Sequence, residues 1–269
     1  MSLNIIALTP CCVDFYPQLN EFYMGGNSLN VASMWKKLSP NSSISVVTCL
    51  GKDANGRMIA DFFTKIGIDQ SRVYVKDGAT ATNHLRVDET GERFGVEGTW
   101  QGGLYETFFL SDADWDWVAQ QDIVAMPANN PNYAEMLKRK HNNQLLSVDY
   151  LDIENHIPIE ETVSYTDIAF ITARPDLLPK YRDLAFSSQK LIVVTLGALG
   201  SYAYSDGKSY HQPALQVPKV IDTTGCGDAY QAAFALTYYH TRDIQKSMFD
   251  GATAASQILQ AWGGVGKVE

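Results

Sequence analysis

The sequence contains little cysteine and little positive charge. Only four of its 269 residues are cysteine, and 21 Lys and Arg stand against 30 Asp and Glu, for a formal net charge of −9. Four cysteines without a C-x-x-C pair indicate neither a disulfide framework nor a cysteine-built zinc site. Nucleic-acid binding requires clustered Lys and Arg, and the sequence has no such cluster. We therefore expect no nucleic-acid partner and a reducing, cytoplasmic setting.

Long apolar runs are also absent. The strand-like run Asn4–Leu8 lacks the basic region and the longer apolar stretch of a secretory signal. No uninterrupted apolar segment of about 18 residues follows, which is the length that spans a bilayer. We expect neither secretion nor a membrane partner. Hydrophobic residues make up 45% and charged residues 19% of the chain, which is typical of a globular domain with a full core.

Short apolar runs alternate with helical patterns along most of the chain. Such runs are typical of buried strands, and strands that alternate with helices indicate βαβ units. The sequence therefore predicts an α/β fold in which helices cover both faces of a mainly parallel central sheet. The strand candidates are Ile44–Leu50, Ile123–Met126, Leu145–Val148, Ile168–Ile171 and Leu191–Thr195.

Two segments interrupt this alternation, around residues 13–24 and 82–96. In the second segment, two strand-like stretches flank Asp88–Gly91, a pattern typical of a hairpin. We expect a small β lid made of segments at approximately 12–24 and 80–100, inserted in a single domain that spans residues 1–269.

The most informative motif is a glycine-rich turn that leads from an apolar run into a helix. Gly225, Cys226 and Gly227 form the turn, and Asp228 follows in the first helical turn. Glycines let the backbone approach a phosphate closely, and N–H groups at a helix start face negative charge. Asp228 is then placed to take a proton from an attacking hydroxyl. The alternative is an ordinary turn in which Asp228 is a favourable acid at a helix start.

A second motif places two glycines before a helix. Gly25 and Gly26 permit close approach of a polyol, and Asn30 offers a donor and an acceptor to sugar hydroxyls. Taken alone, Asn30 fits a capping or core-amide role better. Asn27 is the residue expected to cap the helix.

A third motif follows the last strand candidate. Thr195 ends that apolar run, and Gly197 and Gly200 form a turn after it. Ligands bind at the carboxyl ends of strands in open α/β sheets, so this turn is a candidate nucleotide site. On its own, a G-x-x-G turn after a strand often serves only as a tight turn.

Together the three motifs resemble the signatures of the ribokinase/PfkB carbohydrate kinases. Residues 222–228 resemble D-T-x-G-A-G-D, with Cys226 in place of the usual alanine. Residues 25–32 resemble G-G-x-x-x-N-x-A, and residues 194–200 resemble V-T-x-G-x-x-G. The order is that of the family, and the resemblance covers nearly the whole chain.

The resemblance implies an ATP- and Mg²⁺-dependent carbohydrate kinase with a ribokinase-like three-layer fold. It implies that Asp228 is the catalytic base and that residues 225–227 form an anion hole. Asp222 and Thr224 match positions that in some relatives help to ligate a monovalent cation such as K⁺, and lids in this family often pair in a homodimer. The remaining residues divide into a sugar set (Asp14, Gly25, Gly26, Asn30 and Arg93) and a nucleotide set (Thr195, Gly197, Gly200 and Thr224). For Arg93, a solvated hairpin arginine is the alternative.

Within the family, residues 12–19 with the following 24–27, and residues 109–111 leading into 117–124, look similar to bacterial fructoselysine 6-kinases, which implies a fructosamine phosphorylated at its 6-position. Fructokinase, ribokinase and nucleoside kinase activities remain open. So does a non-catalytic sugar-binding homologue, because the N-x-x-E element of the family is replaced by Thr172–Asp176. Asp176 is the candidate substitute for the missing glutamate.

Overall fold

The computed structural model describes residues 2–152 and 158–265. Its strands are β1 (Asn4–Leu8), β2 (Cys12–Tyr16), β3 (Glu21–Gly25), β4 (Ser43–Gly51), β5 (Val73–Lys76), β6 (Ala81–Val87), β7 (Arg93–Gly95), β8 (Ile123–Pro127), β9 (Leu145–Asp152), β10 (Ile168–Thr172), β11 (Leu191–Thr195), β12 (Ser201–Ser205) and β13 (Lys208–Gln212). Its helices are α1 (Asn27–Leu38), α2 (Ala54–Ile66), α3 (Asp112–Val118), α4 (Tyr133–Arg139), α5 (Ile159–Thr162), α6 (Leu178–Ser188), α7 (Cys226–Thr241) and α8 (Ile244–Ile258). The five strand candidates lie within β4, β8, β9, β10 and β11.

The main sheet has the strand order β13-β12-β11-β10-β9-β8-β1-β4-β5. From β11 to β5 the neighbours pair in parallel, whereas β12 and β13 add antiparallel pairs at one edge. Parallel neighbours require crossover connections, which the helices provide. The carboxyl ends of the parallel strands therefore share one edge of the sheet.

Two apolar clusters cover the two faces of this sheet, because side chains alternate along a strand. Ile5 and Ala7 pack in one cluster with α1, α7 and α8, whereas Ile6 and Leu8 pack in the other with α3, α4 and α6. The predicted three-layer α/β fold is confirmed. None of the helices within the described ranges combines the length and hydropathy needed to span a membrane.

A second sheet of four strands has the order β3-β2-β6-β7. Its strands come from the two chain segments that interrupt the βαβ alternation. Because β2 follows β1 closely in the chain, the second sheet adjoins the carboxyl edge of the main sheet. It is this junction that carries the candidate site.

Helix α1 begins differently from the prediction. Gly26, and not Asn27, occupies the N-cap, with a φ of 94° and no side-chain cap. Along its length α1 packs against α7, where Trp35 Nε1 donates to the carbonyl of Ala232 at 2.8 Å. The first turns of the two helices consequently meet, and the side chain of Asn27 contacts α7 instead of capping its own helix.

Candidate active site

Asp228 lies where the first turns of α1 and α7 meet. Its Oδ1 accepts a hydrogen bond from Asn27 Nδ2 at 2.7 Å, and its Oδ2 accepts one from Asn30 Nδ2 at 2.7 Å. The two asparagines are three positions apart, so they share one face of the helix. The structure thus brings the predicted base and the predicted sugar residue Asn30 together, and it adds Asn27 to them.

A carboxylate outside the predicted set joins this group. Asn27 Nδ2 also lies 3.1 Å from Asp149 Oδ2, so one amide group donates to two carboxylates. Asp149 belongs to β9, near the edge of the sheet where ligands bind in α/β folds. The sequence signal for it is an acidic residue directly after the buried run at 145–148.

Asp14 occupies the space that a side chain at position 25 would fill. A Cβ on Gly25 would lie 1.9 Å from Asp14 Oδ2, so glycine is required beside this carboxylate. Gly26 has a positive φ, and a Cβ there would lie 2.7 Å from the carbonyl oxygen of Pro10. The two glycines therefore make room for neighbouring residues of the site, and their contact with a polyol stays a prediction.

The three carboxyl groups have raised pKa values. Burial raises the pKa of Asp228, against the hydrogen bonds from the α1 amides and the nearby guanidinium of Arg93, which lower it. Burial likewise raises the pKa of Asp14 to about 7 and the pKa of Asp149 to about 7, and the negative charge of Asp228 adds to both shifts. Carboxyl groups perturbed in this way cluster at functional sites.

The turn that precedes α7 is held by a buried carboxylate. Asp222 Oδ1 accepts from the N–H of Thr224 at 2.8 Å, and its Oδ2 accepts from the Tyr16 hydroxyl at 2.7 Å and the N–H of Gly263 at 2.9 Å. The Tyr16 hydroxyl also lies 3.0 Å from Thr224 Oγ1. The two predicted cation ligands are thus adjacent and bonded to protein groups, and cation binding by them stays a prediction.

Helix α7 starts with available N–H groups. The N–H of Cys226 donates to the carbonyl of Thr223 at 3.2 Å, and the first helical bond runs from Ala229 to Gly225. The N–H groups of Gly227 and Asp228 precede that bond and have no acceptor within the helix. Within the predicted anion hole, the N–H of Gly227 is therefore available to a ligand. The N–H of Cys226 is already bonded to the carbonyl of Thr223.

Gly225 is required at the N-cap of α7. Its φ is 76°, and a Cβ there would lie 2.4 Å from the carbonyl oxygen of Gly264. A Cβ on Gly264 would in turn lie 2.4 Å from Asn30 Nδ2. The segment after α8 therefore packs directly against the site, although a glycine pair after a helix is typical of a simple helix end.

The predicted nucleotide residues lie farther along the same edge. Thr195 ends β11, two strands from β9, and its Oγ1 lies 2.9 Å from Thr172 Oγ1 of β10. Gly197 and Gly200 follow it with φ of 57° and 88°. Among the described residues, no hydrogen bond joins these three to Asp228.

Arg93 belongs to β7 and is exposed. Its guanidinium lowers the pKa values of Asp14 and Asp228, so it acts on both carboxylates. Its backbone N–H donates to Thr223 Oγ1 at 2.9 Å, and the carbonyl of Gly91 accepts from the Thr223 N–H at 3.0 Å. The β6–β7 hairpin is therefore bonded to the turn before α7.

The family model of the pfkB family carbohydrate kinases matches residues 12–268. The chain belongs to this family. As a pfkB carbohydrate kinase, it is a phosphotransferase that acts on a sugar hydroxyl. The fructoselysine 6-kinase of Shigella flexneri is 29% identical to it over 255 residues, which cover 94% of this chain and 95% of that protein.

Solved structures show the same ribokinase-like fold. The adenosine kinase of Sinorhizobium meliloti superposes with a TM-score of 0.85 at 18% identity, over 98% of this chain and 96% of that chain. The Arabidopsis thaliana ribokinase complexed with ribose and ATP superposes with a TM-score of 0.81 at 21% identity, over 98% of this chain and 95% of that chain. Both comparisons support the fold of this pfkB kinase over its full length.

Proposed function

We propose that this kinase transfers the γ-phosphoryl group of ATP to the 6-hydroxyl of a fructosamine such as fructoselysine. The observation that carries the proposal is the Asp228 carboxylate, held by Asn27 and Asn30 at the start of α7. The similarity to a fructoselysine 6-kinase over nearly the whole chain supports the substrate class.

In this proposal Asp228 takes the proton of the sugar hydroxyl while that oxygen bonds to the γ-phosphorus and the bond to ADP breaks. The two α1 amides fix the carboxylate in one orientation, and general-base catalysis contributes a factor of ~10²–10⁴. The N–H groups of Gly227 and Asp228 face the charge that develops on the transferred group. Thr195, Gly197, Gly200 and Thr224 remain the proposed nucleotide contacts.

Mg²⁺ enters as part of the MgATP substrate. Within residues 2–152 and 158–265, no three His, Cys, Asp or Glu side chains form a group that could hold a metal ion. Asp176, the candidate for the missing glutamate, is exposed and pairs with Arg174 at 3.3 Å. Because Mg²⁺ in kinases is bound largely by phosphate oxygens and water, we assign it to the nucleotide and to no site built by the protein alone.

The surroundings of Asp228 favour a ligand rich in donors. Asp14 and Asp149 add carboxylates, and the Oδ1 atoms of Asn27 and Asn30 are buried without a hydrogen-bond partner among the described residues. Buried acceptors require donors, which sugar hydroxyls supply. Asp14, Asp149 and Asp228 have raised pKa values, so a positive charge on the substrate would favour their ionised forms and be attracted by them. The amine of a fructosamine carries such a charge at neutral pH, and fructose does not.

ADP release from MgATP tests the proposal, with fructoselysine, a second fructosamine, fructose, ribose and nucleosides as acceptors. We expect the largest kcat/KM with the fructosamines. A preference for fructose, ribose or a nucleoside would show that the proposed substrate is wrong and would leave the proposed mechanism unchanged. Sugar binding without ADP release from any acceptor would contradict the proposed reaction. Replacing K⁺ by tetramethylammonium in the same assay tests the cation role of Asp222 and Thr224.

We also propose a homodimer. In it, the face of the second sheet that carries Phe15, Phe22, His84 and Phe94 packs against the same face of a second copy. The rings of Phe15 and Phe22 lie 4.8 Å apart, His84 lies 5.2 Å from Phe15, and Phe22 and Phe94 are 58% and 52% exposed. Exposed aromatic patches mark protein interfaces. Sedimentation velocity should show a dimer that Phe22→Asp dissociates, whereas a monomeric wild type would contradict this pairing.

A further inference from the structure

Tyr16 connects the second sheet to the turn before α7. It belongs to β2 and is fully buried. Its hydroxyl lies within hydrogen-bond distance of Asp222 Oδ2 and Thr224 Oγ1, which are outside the second sheet. A carboxylate oxygen can only accept, so the Tyr16 hydroxyl is the donor to Asp222. The contact is therefore a hydrogen bond to a buried carboxylate, which belongs to the stronger class of hydrogen bonds.

The β6–β7 hairpin of the second sheet also forms hydrogen bonds with Thr223, which lies between Asp222 and Thr224 in the chain. Thr223 donates its N–H to the carbonyl of Gly91 and accepts, at Oγ1, the N–H of Arg93. Three consecutive residues, 222–224, are thus bonded to the second sheet, and the glycine-rich turn at 225–227 follows them directly. We call residues 222–227 the anion-hole turn.

Tyr16 shares its strand with a proposed sugar contact. Asp14 and Tyr16 are two positions apart in β2, so both side chains point from the same face of the strand. Asp14 faces the proposed sugar site beside Gly25, whereas Tyr16 faces the anion-hole turn. A sugar that binds Asp14 fixes the strand that carries Tyr16.

From this arrangement we infer that Tyr16 is a positioning residue, which couples occupancy of the sugar site to the shape of the anion-hole turn. When the second sheet is docked on the sugar, Tyr16 holds Asp222, and the N–H groups that follow Gly225 face the transferred phosphoryl group. When the sheet is not docked, the turn loses the Tyr16 and Thr223 bonds together. The inference rests on the proposed function for the roles of Asp14, Gly227 and Asp228.

Tyr16→Phe removes this hydroxyl, and Tyr23→Phe is the matched control. Tyr23 lies on the neighbouring strand β3, and its hydroxyl bonds the exposed Glu21 at 2.5 Å instead of the anion-hole turn. The readout is the Kd of an unreactive MgATP analogue, measured by calorimetry with and without the sugar that the wild type phosphorylates best, or fructoselysine if no turnover is found. The ratio of the two Kd values is the coupling between the sites.

We expect the sugar to tighten nucleotide binding in the wild type and in Tyr23→Phe. In Tyr16→Phe the coupling ratio should fall toward one and kcat should fall on the order of 10-fold, the effect of one hydrogen bond to a charged group. The Kd for the sugar alone should stay within about twofold, because Asp14 is unchanged. Thr223→Val removes the Oγ1 acceptor of the Arg93 N–H and keeps the backbone bond to Gly91, so it should weaken the second connection and reduce the coupling in the same direction, with little effect on thermal stability.

An unchanged coupling ratio in both Tyr16→Phe and Thr223→Val would overturn the inference. So would a uniform loss of sugar and nucleotide affinity with a lower Tm, because that pattern indicates a purely structural tyrosine. Should Tyr16→Phe fail to fold, Thr223→Val alone decides. Calorimetry needs no turnover, so a wild type without kinase activity would refute the proposed function and still leave the coupling measurable.

Discussion

Replacing Asp228 with asparagine removes the proposed base and changes the size of the side chain very little. In the native site Asn27 and Asn30 each donate to one carboxylate oxygen, so the introduced amide N–H group must meet one of these two donors. Both asparagines also have an Oδ1 atom that is buried and has no partner within residues 2–152 and 158–265. Rotation of one amide therefore converts the donor–donor contact into a hydrogen bond, and we expect the variant to fold.

The expected loss lies in kcat. Removal of a general base lowers kcat by ~10²–10⁴, which corresponds to about 3 to 5 kcal/mol of activation free energy. The free energy of unfolding should stay equal or rise, because burial raises the pKa of Asp228 and so disfavours its charged form. Activity and stability are thus expected to change in opposite directions.

ADP release at saturating MgATP and sugar measures kcat, calorimetry measures the Kd for the sugar, and thermal unfolding measures Tm. Asp183→Asn is the control, because this aspartate is exposed and pairs with Arg182 on the surface. We expect its kcat to stay within about twofold, since surface ion pairs contribute little. If Asp228→Asn kept more than a tenth of the wild-type kcat while binding sugar normally, the assignment of Asp228 as the base would be refuted.

Three further variants test the surroundings of the base, and a fourth, Gly95→Ala, is the control for the glycine substitution. Asn27→Ala removes a donor that lowers the pKa of Asp228, so kcat should fall about 10-fold and the acid limb of its pH profile should move to higher pH. Gly225→Ala places a side chain at a φ of 76° and 2.4 Å from a backbone oxygen, which should cost about 1 to 3 kcal/mol in urea unfolding. Gly95→Ala, with open space around it, should be neutral. Asp14 has its pKa raised from 3.8 to about 7, so it contributes stability that is present below pH 3.8 and lost as pH rises through about 7. Asp14→Asn should therefore reduce the drop in unfolding free energy between about pH 5 and pH 8.5, and an unchanged drop would contradict the raised pKa.

Sequence patterns identified residues whose contacts in the structure are with residues nearby in the chain. Buried strands such as Leu191–Thr195 follow from a continuous apolar run, and Asp228 follows from the glycines directly before it. The prediction that Asn27 caps α1 was wrong, because it too relied only on neighbours in the sequence. An asparagine at a helix start is typical of a cap, and only the packing of α1 on α7 makes its side chain reach Asp228, 201 positions away.

Contacts between distant segments of the chain could not be predicted from local patterns, even where one of the residues belongs to a motif. Tyr16 and Asp222 are 206 positions apart, and a tyrosine in a short β segment is an ordinary strand residue. The role of Gly264 depends on where the chain returns after α8. Asp149 had a local signal, an acid after a buried run, but that signal is shared by many strand ends.

The joint between the two sheets and the proposed active site consist largely of the same residues. Asp222 and Thr223 bind the second sheet, and the next residues carry the proposed anion hole and base. Under the proposed function, separation of the sheets would therefore disrupt the phosphoryl-transfer site. We accordingly expect slow ATP hydrolysis in the absence of sugar, because the donors proposed to stabilise the transferred group and the surface that excludes water would be assembled together.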